Sequence, residues 1–390
     1  MKLGIVVPRY GEEILGGAET FARELAEHLP SSEFAVEVLT TCANDLLKWR
    51  NVYPAGLTRV HDIPVRRFPL DDRVRNERRY WELMIKFTNR WPTTVEEEDA
   101  WIEHSAHSPA LYHYLSQHSR VYDLLIFVPY VFGMTFYGTM IDPARSVLWP
   151  CLHDEPFARF AQTRLMLQTC RGVMFTSAPE QALAEGKLGA RNPCAQIVGF
   201  GLDDYQADAE RFRQQFHLTE PFILYSGRLD SMKNLLQLLT FFIQYKQQRP
   251  GPLKLVLMGT GALPIPKHPD IVEIGFQTGQ VKLDAYAAAT VLCLPSLLES
   301  FSIVIMESWL AEVPVLVHGD CDVTRYHVLR SNGGLYYADF AEFAGALDWF
   351  MTHPQERTQM GQLGRAYVRR EYNWDVVLAR FYAALAVWRS

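Results

Sequence analysis

The chain lacks the marks of several protein classes. Its six cysteines are Cys42, Cys151, Cys170, Cys194, Cys293 and Cys321, with no Cys-x-x-Cys pair among them. No histidine cluster has zinc spacing, which argues against a structural zinc site. Several of these cysteines sit inside apolar runs, where a reduced, buried thiol is the expected state. Basic charge is not in excess. Lys and Arg number 38 against 44 Asp and Glu, a net charge of −6. That leaves no electrostatic case for a nucleic acid partner, although a local basic patch is still allowed. There is no internal repeat and no low-complexity segment. The chain opens on an apolar strand, Leu3 to Val7, with no signal-peptide pattern. The expected compartment is the cytoplasm.

A membrane span is also missing. Leu124 to Ile141 carries no charge, but Pro129, Gly133 and Gly138 interrupt it, with Thr135 and Thr139 between. A buried strand, a loop and a helix start explain this segment better than a crossing helix.

What is present fits a two-domain α/β enzyme. At 390 residues, 48% hydrophobic and 21% charged, the chain exceeds one ordinary core. Apolar runs alternate with amphipathic segments, the pattern of parallel sheets built from βαβ units. Strands are expected at Gly4 to Pro8, Ala35 to Leu39, Asp123 to Val128, Val147 to Leu152 and Val173 to Thr176. A second set follows at Phe222 to Ser226, Leu253 to Met258, Val272 to Ile274, Val291 to Leu294 and Val313 to Val317, with a helix at Leu235 to Tyr245. Two Rossmann-like domains are therefore expected, with a linker around Phe200 to Asp208. The segment Asp71 to Ser119 is long for a connection. It holds Arg73, Arg75, Arg78 and Arg79, then Trp81, Trp91 and Trp101. The plainer expectation is a helical insertion whose tryptophans pack on the domain.

Four constellations carry chemistry. In Pro295 to Glu307, two acids, Glu299 and Glu307, flank the step from strand to helix. Ligands of open α/β sheets bind at such strand ends, where helix-start amides point outward. Glu307 would accept hydrogen bonds from a vicinal diol such as a ribose. Arg228 and Lys233 lie in one loop after a strand, where a planar fork and a mobile cation suit a diphosphate. Gly16 and Gly17 precede a helix and allow close approach of a phosphate or sugar. His153 stands at a strand end, where an imidazole reaches a sugar or a leaving phosphate. Solvated glutamates, surface cations, a ligand-free glycine loop and a structural histidine are the plainer readings of each.

In this order, Gly16-Gly17-x-Glu19, His153-Asp154, Gly227-Arg228-Leu229-Asp230-x-x-Lys233-Asn234, Gly259-x-Gly261 and Glu299-x7-Glu307 resemble the GT-B fold glycosyltransferases. The family is the large retaining one of the GT4 type, glycosyl transferases group 1. The resemblance implies two Rossmann-like parallel-sheet domains facing across a cleft. Residues 1–202 would be the acceptor side, with the helix at 373–390 packing back on it, and 203–372 the donor side. It implies that Arg228 and Lys233 grip the donor diphosphate and that Glu307 binds the ribose. Glu299 would meet the donor sugar, with amides of Ser300, Phe301, Ser302 and Ile303. Gly16 and Gly17 would approach the donor, and His153 the reacting centre. The family often has Glu-Gly-Phe-Gly where this chain has Glu299-Ser300-Phe301-Ser302, and small residues where it has Ser308-Trp309.

The activity so implied is retaining sugar transfer from a nucleoside diphosphate sugar to a saccharide or lipid-linked saccharide. No cofactor and no metal is expected, since no Asp-x-Asp cluster stands in a metal-binding context. Peripheral contact with a membrane surface is expected of the Asp71 to Ser119 segment if its arginines form a patch. Two alternatives stand beside this reading: a sugar-nucleotide epimerase on the same fold, and a non-catalytic sugar-nucleotide or glycan-binding module.

Overall fold

A computed structural model describes residues 1–14, 16–45, 48–71 and 76–389. The first eight strands are β1 (Lys2–Val6), β2 (Ala35–Thr41), β3 (Gly56–Val60), β4 (Ile63–Phe68), β5 (Leu124–Phe127), β6 (Ser146–Leu148), β7 (Gly172–Phe175) and β8 (Ala195–Ile197). They form one sheet in the order β3-β4-β2-β1-β5-β6-β7-β8, parallel except for the β3–β4 pair. The next six are β9 (Phe222–Ser226), β10 (Lys254–Met258), β11 (Ile271–Gly275), β12 (Val291–Leu294), β13 (Val315–His318) and β14 (Gly334–Tyr337). Their sheet runs β11-β10-β9-β12-β13-β14 and its neighbours pair in parallel.

The second sheet has the doubly wound order, in which strand order reverses beside the first strand. The first sheet has it too once its edge strands β3 and β8 are set aside. The reversal falls between β1 and β5 in one sheet and between β9 and β12 in the other. Interior strands such as β5 (Leu-Leu-Ile-Phe) and β12 (Val-Leu-Cys-Leu) are buried at every residue. Sheets covered by helices on both faces require such unbroken apolar runs.

The chain divides into two compact units, Met1–Gly201 with Val377–Ser390, and Leu202–Val376. The final helix, Trp374–Arg389, places Phe381 against Phe34 in the first unit. There Trp388 donates to the Cys194 carbonyl at 2.8 Å, and Arg171 donates to the Trp388 carbonyl at 2.6 Å.

Two local expectations change. The strand foreseen at Val147 to Leu152 stops at Leu148. Pro150 has no N–H to continue the ladder, and Cys151 turns to φ +54. The β3–β4 hairpin was not foreseen, because β3 is exposed along nearly its whole length and shows no apolar alternation.

The long segment before β5 is helical. It holds α2 (Glu77–Thr88), α3 (Val95–Glu103) and α4 (Pro109–His118), after α1 (Gly17–His28) and before α5 (Gly133–Ile141). Trp101 is buried and stacks on Phe157 at 4.4 Å. Trp81 and Trp91 are 38% and 57% exposed, so only one of the three tryptophans packs as expected. Arg78 pairs with Glu82 at 2.8 Å, and Arg79 lies 3.8 Å from both Glu82 and Glu97. Arg73 and Arg75 fall outside the described residues.

In the second unit, Trp309 on the helix Ile303–Leu310 is fully buried and donates to the Gly333 carbonyl at 2.7 Å. A Cβ at Gly364 would meet its ring at 2.2 Å, and one at Gly333 would meet it at 2.6 Å. The large side chain at this position fills a slot that two glycines leave open. Trp309→Ala is expected to destabilise the second unit by about 3–5 kcal/mol. Gly364→Ala should destabilise the wild type yet be tolerated in the Trp309→Ala background. Denaturant unfolding of both single variants and the double variant measures this coupling, and simple additivity would contradict it.

Candidate active site

The residues expected to face a donor in the second unit, Arg228, Lys233 and Glu299, gather where β9 and β12 part. These strands pair only at Ile223–Val291 and Leu224–Leu292. Beyond that point Tyr225 and Ser226 turn to β10, while Cys293 and Leu294 turn to β13. The crevice so opened lies at the carboxyl ends of the strands, the place where doubly wound sheets bind ligands.

Two loops are locked beside it. Gly227 N–H donates to Met258 O at 3.0 Å, and Leu229 N–H donates to Thr260 O at 2.9 Å. The approach is close enough that a Cβ at Gly259 would lie 1.8 Å from the Gly227 carbonyl oxygen. Tyr225 donates to the Arg228 carbonyl at 2.6 Å. Asp230 accepts from the Lys233 amide at 3.0 Å and closes a tight turn. Asn234 then takes φ +56 and opens the helix Leu235–Gln248.

These turns aim two cations differently. The Arg228 side chain is 61% exposed, and Asp230 is 3.3 Å from its guanidinium. The Lys233 side chain is 25% exposed and donates to Glu299 Oε1 at 2.6 Å. Asn234 donates to the Pro295 carbonyl at 3.1 Å. These two contacts bridge the loops on either side of the crevice.

Glu299 is followed by the start of the helix Ile303–Leu310. Ser302 stands at its N-cap with φ +75, a left-handed conformation that glycine adopts without strain. Its hydroxyl does not cap the helix and has no hydrogen-bond partner among the described residues, although the residue is only 6% exposed. The first amides of the helix have no intrahelical partner and are available as donors.

Glu307 lies one turn further on in a separate cluster. Lys282 Nζ lies 2.5 Å from its Oε1, and the Tyr286 hydroxyl donates to its Oε2 at 2.9 Å. Tyr205 donates to the Glu307 carbonyl. Tyr286 is also in contact with the Ser226 hydroxyl at 3.1 Å, and burial drives its pKa well above the usual phenol value. Lys282, Tyr286 and Tyr205 were not singled out from the sequence. They come from other helices and loops, and no spacing links them to Glu307.

Gly16, Gly17 and His153 belong to the first unit. Gly16 caps α1, and a Cβ there would strike Glu19 Oε2 at 2.2 Å. Glu19 is buried and accepts from Arg9 Nε at 2.9 Å. Among the described residues, nothing lies within 4 Å of where a Cβ on Gly17 would stand. His153 Nδ1 lies 3.4 Å from Glu155 Oε1, which also accepts from the Tyr130 hydroxyl at 2.8 Å.

Beneath His153, the buried Glu180 accepts from the Leu152 amide at 2.7 Å and from the Thr176 amide and hydroxyl at 2.6 Å each. It ties the loop after β6 to the end of β7. Burial outweighs these hydrogen bonds and pushes its carboxyl pKa up to about 7.

Residues 206–367 match the glycosyl transferases group 1 family. Among curated proteins, none is significantly similar to the chain. Many solved structures are similar to the chain, among them three that match over nearly their full length. Sucrose-phosphate synthase of Thermosynechococcus elongatus is 17% identical, with 98% of each chain covered and a TM-score of 0.71. HepE of Anabaena, solved with UDP and glucose, is 17% identical, with 99% of each chain covered and a TM-score of 0.70. WaaG, a glycosyltransferase of lipopolysaccharide biosynthesis, is 12% identical, with 99% of each chain covered and a TM-score of 0.66. At these identities the likeness is one of fold, the GT-B fold. Residues 206–367 thus form a glycosyl transferases group 1 domain within a chain of GT-B fold.

Two outcomes follow from the site's strain and burial. Ser302→Gly is expected to stabilise the second unit by about 1–2 kcal/mol, because it relieves a left-handed residue and removes an unpartnered hydroxyl. A lower melting temperature for this variant would show that the hydroxyl has a stabilising role. For Glu180, the folded pKa of about 7 lies above its ordinary 4.5. Its protonation therefore supports the fold fully below the ordinary value, and that support is lost as pH rises through about 7. Melting temperature between pH 4.5 and 7 should show a downward contribution that Glu180→Gln removes. An unchanged slope in the variant would contradict this.

Proposed function

We propose that the chain is a retaining, metal-independent hexosyltransferase that moves a sugar from a nucleoside diphosphate sugar to a saccharide or lipid-linked saccharide. The observation that carries this reading is the Lys233–Glu299 pair across the crevice, 2.6 Å apart, beside the helix start after Ser302. It holds a cation for a leaving phosphate and an acid for a sugar in one place. A UDP-sugar is the donor to test first, since HepE was solved with UDP-glucose.

In this reading an arriving diphosphate draws Lys233 toward itself and leaves Glu299 to accept hydrogen bonds from the sugar hydroxyls. Arg228, already exposed, adds its planar fork. Amides of Ser300, Phe301, Ser302 and Ile303 receive the donor's oxygens. Glu307 takes the ribose diol, with Lys282 and Tyr286 holding its carboxylate in position. His153 is assigned a hydrogen bond to the transferred sugar, and Gly16 and Gly17 a close backbone approach to the donor.

The bond between the anomeric carbon and the diphosphate oxygen breaks, and its electron pair leaves with the phosphate. The acceptor hydroxyl forms the new bond on the same face, and its proton passes to the departing phosphate oxygen. Arg228 and Lys233 stabilise the growing negative charge in place of a divalent ion.

The proposed place of work is the cytoplasm, at the inner face of a membrane for a lipid-linked acceptor. Among the described residues no helix is long and apolar enough to cross a membrane. Exposed Trp81 and Ile85, one turn apart on α2, support a peripheral contact.

The decisive experiment measures transfer from UDP-glucose to saccharide acceptors. Arg228→Ala and Lys233→Ala should each lower turnover by about 100-fold or more, and excess EDTA should leave it unchanged. Glu307→Gln should raise the donor KM more than it lowers kcat, and Glu299→Gln should do the reverse. Near-normal turnover of both cation variants at saturating donor would overturn the proposal. Nucleotide release only when acceptor is added separates transfer from epimerisation and from binding alone.

A further inference from the structure

A cavity of about 220 Å³ lies in the first unit, between the end of α2, the loop leading to α3 and the turn just after His153. Phe87 and Phe160, with ring centroids 4.7 Å apart, give it an apolar part. Arg90, Trp91, Glu98 and Arg159 give it a polar and aromatic rim. Its volume is below the roughly 300–1,000 Å³ of pockets for drug-sized ligands, which suits a single small ring.

The way Arg90 and Trp91 reach this cavity is unusual. The helix α2 ends with Arg90 N–H donating to Phe87 O at 2.9 Å and Trp91 N–H donating to Lys86 O at 3.0 Å. This is a left-handed helix stop whose turning residue is usually glycine. Here it is Arg90, at φ +55. A long side chain is strained in that conformation, and strain of this kind persists where the surroundings hold it. The surroundings do so. Lys86 Nζ is 2.6 Å from Glu97, and Glu97 completes a capping box with Thr94 at the start of α3. The loop carrying Arg90 and Trp91 is thereby pinned at both ends.

The exposed groups are chemically complementary to one kind of ligand. Trp91 is 57% exposed and offers a flat face to the apolar side of a pyranose. Arg90 is exposed and takes part in no ion pair among the described residues. Arg159 is 2.7 Å from Asp154, which Lys187 also neutralises at 2.9 Å. Glu98 accepts from the Ala161 amide through one oxygen at 3.1 Å, leaving the other for a sugar hydroxyl.

We propose that this cavity is an acceptor subsite for a pyranose that carries a carboxylate or phosphate. Arg90 and Arg159 bind the anionic group, Trp91 stacks on the ring and Glu98 takes a hydroxyl. Arg159 also joins the cavity to the His153 loop through Asp154, so occupation of the cavity is felt beside that histidine. The acceptor role rests on the transfer reading above; the binding itself does not.

The test is fluorine NMR of the full chain labelled with 5-fluorotryptophan, with the Trp91 resonance assigned from Trp91→Phe. The probes are glucuronate and glucose 6-phosphate, with glucose as the neutral control. The Trp91 resonance should move saturably with an anionic sugar and at least ten-fold more weakly with glucose. Arg90→Gly should lose this response while melting at the same temperature as wild type or higher, because glycine relaxes the helix stop. No saturable movement with either anionic probe, equal movement with glucose, or Arg90→Gly that binds as wild type or melts lower would overturn the proposal. A thermal shift with UDP-glucose is run on the same samples. Nucleotide binding without an anionic-sugar response fails the subsite alone; a response without nucleotide binding fails the transfer reading alone.

Discussion

The second unit depends on how little β9 and β12 hold each other. Two residue pairs join them, and past Leu224 and Leu292 each strand is held by its other neighbour. A parallel sheet that reverses its order must split at that point, and the split exposes backbone and loops that would otherwise be buried. The Lys233–Glu299 ion pair and the Asn234–Pro295 hydrogen bond span the gap. They fix the width of the crevice without filling it with apolar side chains. A polar bridge of this kind can be exchanged for a ligand's charge; an apolar one could not.

Much of this architecture was legible in the sequence because buried parallel strands write themselves as short, unbroken apolar runs. β5, β9 and β12 show this well. The acid pair Glu299 and Glu307 and the cations Arg228 and Lys233 were legible for another reason: each follows a strand end, and strand ends are where such sheets do chemistry. Less legible were features whose partners are distant along the chain. Lys282 meets Glu307 because two helices face each other, and no local pattern announces that. The edge strand β3 is exposed and therefore has no apolar signature. Glu180 reads as one more surface acid until β6 and β7 bring Leu152 and Thr176 to it. Arg90 and Trp91 looked like part of a helical insertion, whereas the geometry makes them the end of one helix and the rim of a cavity.

Two strained residues stand out, and both replace the glycine that their backbone favours. Ser302 opens the helix beside Glu299, and Arg90 ends α2 beside the cavity. Ser302 is buried there, whereas Arg90 is exposed on the cavity rim. Under the proposed roles, stability and ligand contact would be set against each other at both places, one in each unit. The rest of the chain supplies the surplus: continuous buried strands, and a final helix whose tryptophan and backbone close hydrogen bonds onto the first unit.

The indole of Trp309 has a consequence for the history of the chain. Its ring occupies the space that side chains at positions 333 and 364 would need, so the residues allowed at these positions depend on one another. Where a relative carries a small residue in its place, the steric demand for glycine at position 364 is relieved, whereas a Cβ at position 333 would still lie 2.8 Å from the Cα of Gly364. Positions 309 and 364 should therefore covary among homologues, although they lie on different helices.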